Sequence, residues 1–203
     1  MCVVFKLVRL GIYVAVAVFI TAGPAHSRSN SLPSSQNHDS GGTLSTSALQ
    51  DMTALGQGSL SWFGLPIYDA ALWSGRGDFE RWGFGQRLAL RIDYHRNIKA
   101  ARLAERTRKE WNRLEGQLDL PAATVRDHWL SEVEAIWPDV APGDFLVTIV
   151  EPGGPSAFFG PQGLLGVIDD PDFGPTFLSI WLHPETSRPD LRAALIGEPG
   201  AEG

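Results

Sequence analysis

Apolar positions are densest near the end of the chain. Phe173, Phe177, Ile180 and Trp181 recur at helical spacing, and Leu178 and Leu182 widen the stripe until almost no polar face remains. This predicts a helix over Phe173–Leu182 that is covered on several sides. Asp172 is the expected N-cap, which puts Pro175 at the third helical position, where its missing N–H has no partner to lose; with Asp170 as cap, Pro171 would suit the first position but Pro175 would remove a real hydrogen bond. His183-Pro184 should end that helix. Ser187 followed by Asp190 reads as a capping box for a last short helix through Leu191 and Leu195, closed by Gly197.

Upstream the period changes to two. Leu88, Leu90, Ile92 and Tyr94 alternate with Arg87, Ala89, Arg91, Asp93 and His95, which predicts a half-buried strand with one wet face. Gly56 to Gly64 reads as a strand, Leu65-Pro66 as a bend, Ile67 to Trp73 as a second strand and Gly75 to Gly85 as a turn. Phe145–Val150 and Ser156–Phe159 are strands around the Pro152-Gly153-Gly154 turn. A tight turn at Gln162-Gly163 leads into a further strand over Leu164–Ile168. Two helices lie between the early and late strands. The first carries the stripe Ala100, Leu103, Thr107, Trp111 and Leu114, with Arg102, Glu105, Arg106, Lys109, Glu110 and Arg113 toward water. Glu105–Lys109 and Arg106–Glu110 stand four apart and can support it. The second has Pro121 in its first turn, the stripe Val125, Trp129, Val133 and Ile136, and Pro138 at its end. Strands joined by short turns with the helices gathered together imply an α+β domain, its helices packed on one face of an antiparallel sheet.

The start of the chain changes the picture of where this domain works. Lys6 and Arg9 precede an unbroken apolar run from Leu10 to Ile20, and Pro24-Ala25-His26-Ser27 offers small residues for cleavage. The apolar core is shorter than the about 20 residues a transmembrane helix needs. The expected organisation is a signal peptide over 1–27, a disordered linker over 28–48, one domain over 49–197 and a disordered tail over 198–203. The chain would be exported, to the periplasm if its source is a Gram-negative bacterium, with no stable membrane insertion after cleavage. An uncleaved N-terminal anchor is the alternative. Cleavage would remove the two positive charges Lys6 and Arg9, taking the net charge from −6 to −8. Such acidity argues against nucleic acid or an anionic membrane surface as partner. The chain's one cysteine, Cys2, would leave with the signal, so the domain has no disulfide to rely on.

Motifs for established chemistry are missing. The sequence has no phosphate-binding loop, no G-x-S-x-G and no H-E-x-x-H. His95, His128 and His183 are not spaced as metal ligands, and Asp169, Asp170 and Asp172 suit a helix N-terminus better than a calcium loop. No metal or cofactor is expected. Aromatic residues are the better lead: all seven tryptophans, among them Trp62, Trp82, Trp111, Trp129 and Trp181, fall in the domain. Most should be core, but between a sheet and a helical layer such residues also line apolar clefts. Trp62, Tyr68, Tyr94, Phe159 and Trp181 are the candidate ligand-binding residues.

Three blocks resemble the chalcone isomerase-like family in its bacterial, exported branch: GQGSLSWFGLPIYDAALW at 56–73, WPDVAPGDFLVTIVEPGG at 137–154 and GLLGVIDDPDFGPTFLSIWLHPETSRPDLRAALIG at 163–197. The resemblance implies an open-faced β-sandwich. In that family the plant isomerases use an arginine and a threonine on early strands, with a tyrosine and an asparagine near the first helix. Here Gly56–Trp73 contains no arginine, no threonine occurs between Thr53 and Thr107, and the first helix has no tyrosine. Related plant proteins bind fatty acids, using an arginine and a tyrosine, and that arginine is missing too. Three readings follow. The chain binds a small apolar ligand such as a fatty acyl chain; or it is an isomerase or lyase using other residues, such as Tyr68, Tyr94, Arg91 or Arg96; or it is an assembly factor whose cleft takes a segment of a partner protein.

Overall fold

Strand β1 (Thr53–Trp62) turns back into β2 (Leu65–Ser74), and every later strand pairs antiparallel with the one before it. These are β3 (Leu88–Tyr94), β4 (Phe145–Val150), β5 (Ser156–Gly160) and β6 (Gly163–Ile168). The result is a six-stranded sheet in chain order. The computed structural model describes residues 49–79 and 85–198. The expected signal peptide and linker, Trp82 and all of the tail except Glu198 lie outside the described residues.

Helices α1 (Ala100–Leu114) and α2 (Ala123–Ile136) are inserted between β3 and β4, while α3 (Phe173–Leu182) and α4 (Pro189–Leu195) follow β6. All four pack on the sheet, as the α+β reading expects. The core between the two layers is aromatic. Phe173 and Phe177 stack with centroids 5.5 Å apart, and Trp111, Trp129 and Phe158 meet Phe173 edge-on. Two of the buried indoles there have a partner for their N–H: Trp111 donates to the Thr176 carbonyl at 2.9 Å and Trp129 to the Asp170 carboxylate at 3.1 Å.

Local details depart from the sequence pattern where tertiary contacts intervene. Asp172 does occupy the N-cap position of α3, but its backbone is helical and its side chain makes no cap bond. Asp170 does that work instead, accepting from the Asp172 N–H at 3.0 Å while its other oxygen holds Trp129. The Ser187–Asp190 capping box does not form, because Arg188 holds the N-cap position of α4 and Pro189 opens it. Pro121 lies ahead of α2, not in its first turn. The N-terminus of α1 is capped from a distance: Asp139 accepts from the Ala100 N–H at 3.0 Å and from Lys99 at 2.6 Å. Glu110 and Arg126 are buried and Val125 is exposed, so the wet faces of α1 and α2 are rotated from the expected ones.

The bend between β1 and β2 falls at Phe63-Gly64, two residues before the expected Leu65-Pro66. Both residues take positive φ, 48° and 75°, as a two-residue hairpin turn requires. Pro66 is tolerated inside β2 because it faces a register shift in β1, between Leu60 and Ser61. The β5–β6 turn is Pro161-Gln162, one residue early. On the far face of the sheet, Ala89 is buried instead of wet. It joins Val147 and Ile149 in a small cluster under Trp73, Phe145 and Phe159. Gly56 permits one further contact. A Cβ there would run into the carbonyl oxygens of Ala194 and Leu195, so α4 rests directly on the backbone of β1.

Candidate functional site

The helical layer does not close evenly on the sheet. Toward Phe173 the aromatic rings fill the gap. Toward the C-terminal half of α3 they leave a cavity of about 400 Å³, within the usual range for small-ligand sites. Alternation along the strands selects its floor: Ile92 and Tyr94 from β3, Leu146 and Thr148 from β4, and Phe158 from β5 all point to the helical side. The roof comes from two helices. Leu103, Arg106, Thr107 and Glu110 share one face of α1, and Phe177, Ile180 and Trp181 share one face of α3. Leu60 and Trp62 of β1 and Arg188 before α4 complete the wall.

The polar groups are few and lie close together. The Trp181 indole N–H donates to the Tyr68 hydroxyl at 3.0 Å, across 113 positions of sequence. Tyr68 stands opposite Tyr94 in the β2–β3 register, their rings edge-on at 6.5 Å. Burial pushes the Tyr68 phenol above its usual value, against the opposing pull of the Trp181 bond and of Arg188. Burial pushes Tyr94 up as well. Both are therefore neutral phenols at physiological pH. Glu110, only 6% exposed, is held by Arg106 at 2.6 Å and by Arg113 at 3.2 Å. Arg106 itself reaches out to solvent, as do Arg102 and Arg188, so three guanidiniums stand at the rim of a mostly apolar hollow. The Trp137 indole N–H is buried beside the cavity with no partner among the described residues.

Of the residues singled out in the sequence, Trp62, Tyr68, Tyr94 and Trp181 line this cavity. Phe159 does not. It sits one position out of phase and packs on the far face of the sheet, while its neighbour Phe158 lines the cavity. Arg91 is on the far face too, 4.0 Å over the Phe145 ring and bonded to both oxygens of Asp93. Arg96 is exposed and not part of the lining. The charged members, Arg102, Arg106, Glu110 and Arg188, escaped the sequence reading. Their signal was there in part: Leu103, Arg106, Thr107 and Glu110 recur at three- and four-residue spacing, one helical face that holds both apolar and charged residues. The histidines stay apart, His95 on Asp69 at 2.8 Å and His128 near Glu132, and among the described residues no cluster of metal-ligating side chains occurs.

A meandering antiparallel sheet, helices on one face and a hollow between the layers define the chalcone isomerase-like fold. The chain superposes on the crystal structure of a fatty-acid binding protein from Arabidopsis thaliana with a TM-score of 0.55, covering 72% of this chain and 87% of that one at 12% identity. At that identity the likeness is one of fold. No family model and no curated protein matches the sequence.

Proposed function

We propose that this chain is an exported protein that binds a small apolar ligand bearing one acidic head, of the fatty-acyl kind, between its sheet and helices. One observation carries the reading. The cavity lining is mostly apolar, its one buried carboxylate, Glu110, is paired with Arg106 and Arg113, and the exposed guanidiniums of Arg102, Arg106 and Arg188 bring positive charge to the lining. A hydrocarbon chain would lie against Ile92, Leu146, Phe158 and Phe177, leaving its carboxylate at the guanidiniums. Tyr68 suits the same head. Its oxygen already accepts from Trp181, so its proton remains to be donated, and a neutral phenol is a donor. The Arabidopsis protein of the same fold is a fatty-acid binding protein, which agrees with this ligand class. Export rests on the basic and apolar pattern of residues 1–27.

The test is mass spectrometry of a solvent extract of natively purified protein, followed by titration of delipidated protein with a fluorescent fatty acid. A co-purifying acyl chain and saturable binding are expected. No extractable lipid together with no saturable binding would sink the reading. Intact mass of the protein from its producing cell should begin near Arg28; a full-length mass in the membrane fraction would make Leu10–Ile20 an anchor instead.

A second reading, an isomerase or lyase, is favoured by the meeting of Tyr68, Glu110 and Arg106 in one hollow. A paired acid and a neutral phenol resemble a proton-transfer set. Turnover lost on Tyr68→Phe, with binding kept, would choose it over a carrier.

A further inference from the structure

The β1–β2 hairpin ends in a cluster that no other part of the described chain covers. Trp62, Phe63 and Leu65 are 63%, 88% and 53% exposed, and the Trp62 and Phe63 rings touch at 5.1 Å. Phe63 also takes positive φ, a conformation that an L residue with a bulky side chain rarely adopts and that Asn or Gly would suit better. A strained and largely exposed phenylalanine at a turn is no part of the core, which points to a role outside the fold.

We propose that this hairpin tip docks the protein on a lipid bilayer, so that the cavity opens toward the membrane surface. This rests on the reading of the cavity as a fatty-acyl site. Two features of the rim choose a bilayer over a protein partner. Trp62 belongs both to the tip and to the cavity wall, so whatever the tip enters also faces the mouth. Arg102, Arg106 and Arg188 stand on the same rim, and among the described residues Arg102 and Arg188 form no ion pair. Aromatic side chains inserted at headgroup depth beside arginines match an anionic interface, where tryptophan in particular settles. A specific protein interface buries about 800 Å² on each partner, more than three side chains on a two-residue turn present. The chain's overall acidity does not oppose this, because screening limits charge interactions to about 8–10 Å and leaves the rim's own charges to act.

The experiment is co-sedimentation with vesicles of phosphatidylcholine alone and with phosphatidylglycerol added, comparing wild type with Phe63→Asn/Leu65→Ser. Both proteins carry the same N-terminus, so any contribution from it cancels. Neither substituted residue lines the cavity, and Asn suits the φ of position 63, so the variant is expected to fold and to bind a fluorescent fatty acid in solution like wild type. Wild type should prefer the phosphatidylglycerol vesicles, lose binding as salt rises, and exceed the variant about tenfold in affinity. Equal vesicle binding by both proteins, or by neither, would overturn the proposal. So would self-association of wild type that the variant lacks, which would make the tip a contact between copies. Loss of fatty-acid binding in wild type and variant alike would instead strike the cavity reading, whatever the vesicles show.

Discussion

Arg106 is drawn in two directions. Inward it holds the buried carboxylate of Glu110 at 2.6 Å, and outward its side chain is 62% exposed at the rim. A ligand carboxylate would share it. Arg106→Ala is therefore expected to weaken fatty-acid binding by about tenfold, the worth of one charge-assisted bond partly screened by solvent; isothermal titration measures it, and an unchanged affinity would place the head elsewhere. The tyrosines give a prediction of a different kind. Tyr68 and Tyr94 both have phenols raised above the usual value near 10 by burial. The folded state then keeps protons that the unfolded state releases, so stability is full below about pH 10 and falls as pH rises beyond it. Denaturant midpoints across the alkaline range should show that fall, and Tyr68→Phe should reduce it. Neither behaviour was legible in the sequence. An arginine on a helix full of charges reads as wet, and only the packing of α1 over the sheet shows that its exposed end borders a cavity.

The elements were more legible than their ends. Both α1 and α3 run over the residues their apolar stripes mark, because a strong period leaves little choice. The cap of α1 was not legible, since Asp139 reaches the Ala100 N–H from outside any local window, whereas at α3 the bond from the Asp172 N–H to Asp170 is local and only the hold of Asp170 on Trp129 is distant. Likewise the first hairpin turn was misplaced because nothing in the letters marks a phenylalanine for positive φ. Helix α3 is the element the core depends on. Phe173 is fully buried among Trp111, Trp129, Phe158 and Phe177, so Phe173→Ala should cost about 3–5 kcal/mol in chemical denaturation. Trp181, half-buried on the cavity wall, should lose less stability and more ligand affinity on the same change. Equal losses at both positions would mean that α3 packs uniformly and the hollow closes in solution.

At the scale of the molecule, class and layering followed from the order of strands and helices, while the hollow did not. Its existence depends on how far α1 and α3 stand from the sheet, and a sequence pattern sets which residues face inward without setting that distance. The same hollow bears on catalysis. Ring closure of a chalcone develops negative charge on an enolate and needs donors aimed at that point. Here the guanidiniums stand at an exposed rim, where water weakens their hold on such a charge. Chalcone should bind, quenching tryptophan fluorescence, yet turn over no faster than in buffer at the same pH. Turnover well above buffer would replace the carrier with an enzyme.

Phe63 finally bears on how the protein would respond to selection. Holding a bulky L residue at positive φ is unfavourable by about 1–2 kcal/mol, and Asn in its place would recover much of that. A library screened for heat resistance alone should thus converge on Asn at this position. On the reading proposed above, the hardier variants would keep the cavity and its ligand but lose the means of reaching the surface from which that ligand would be collected.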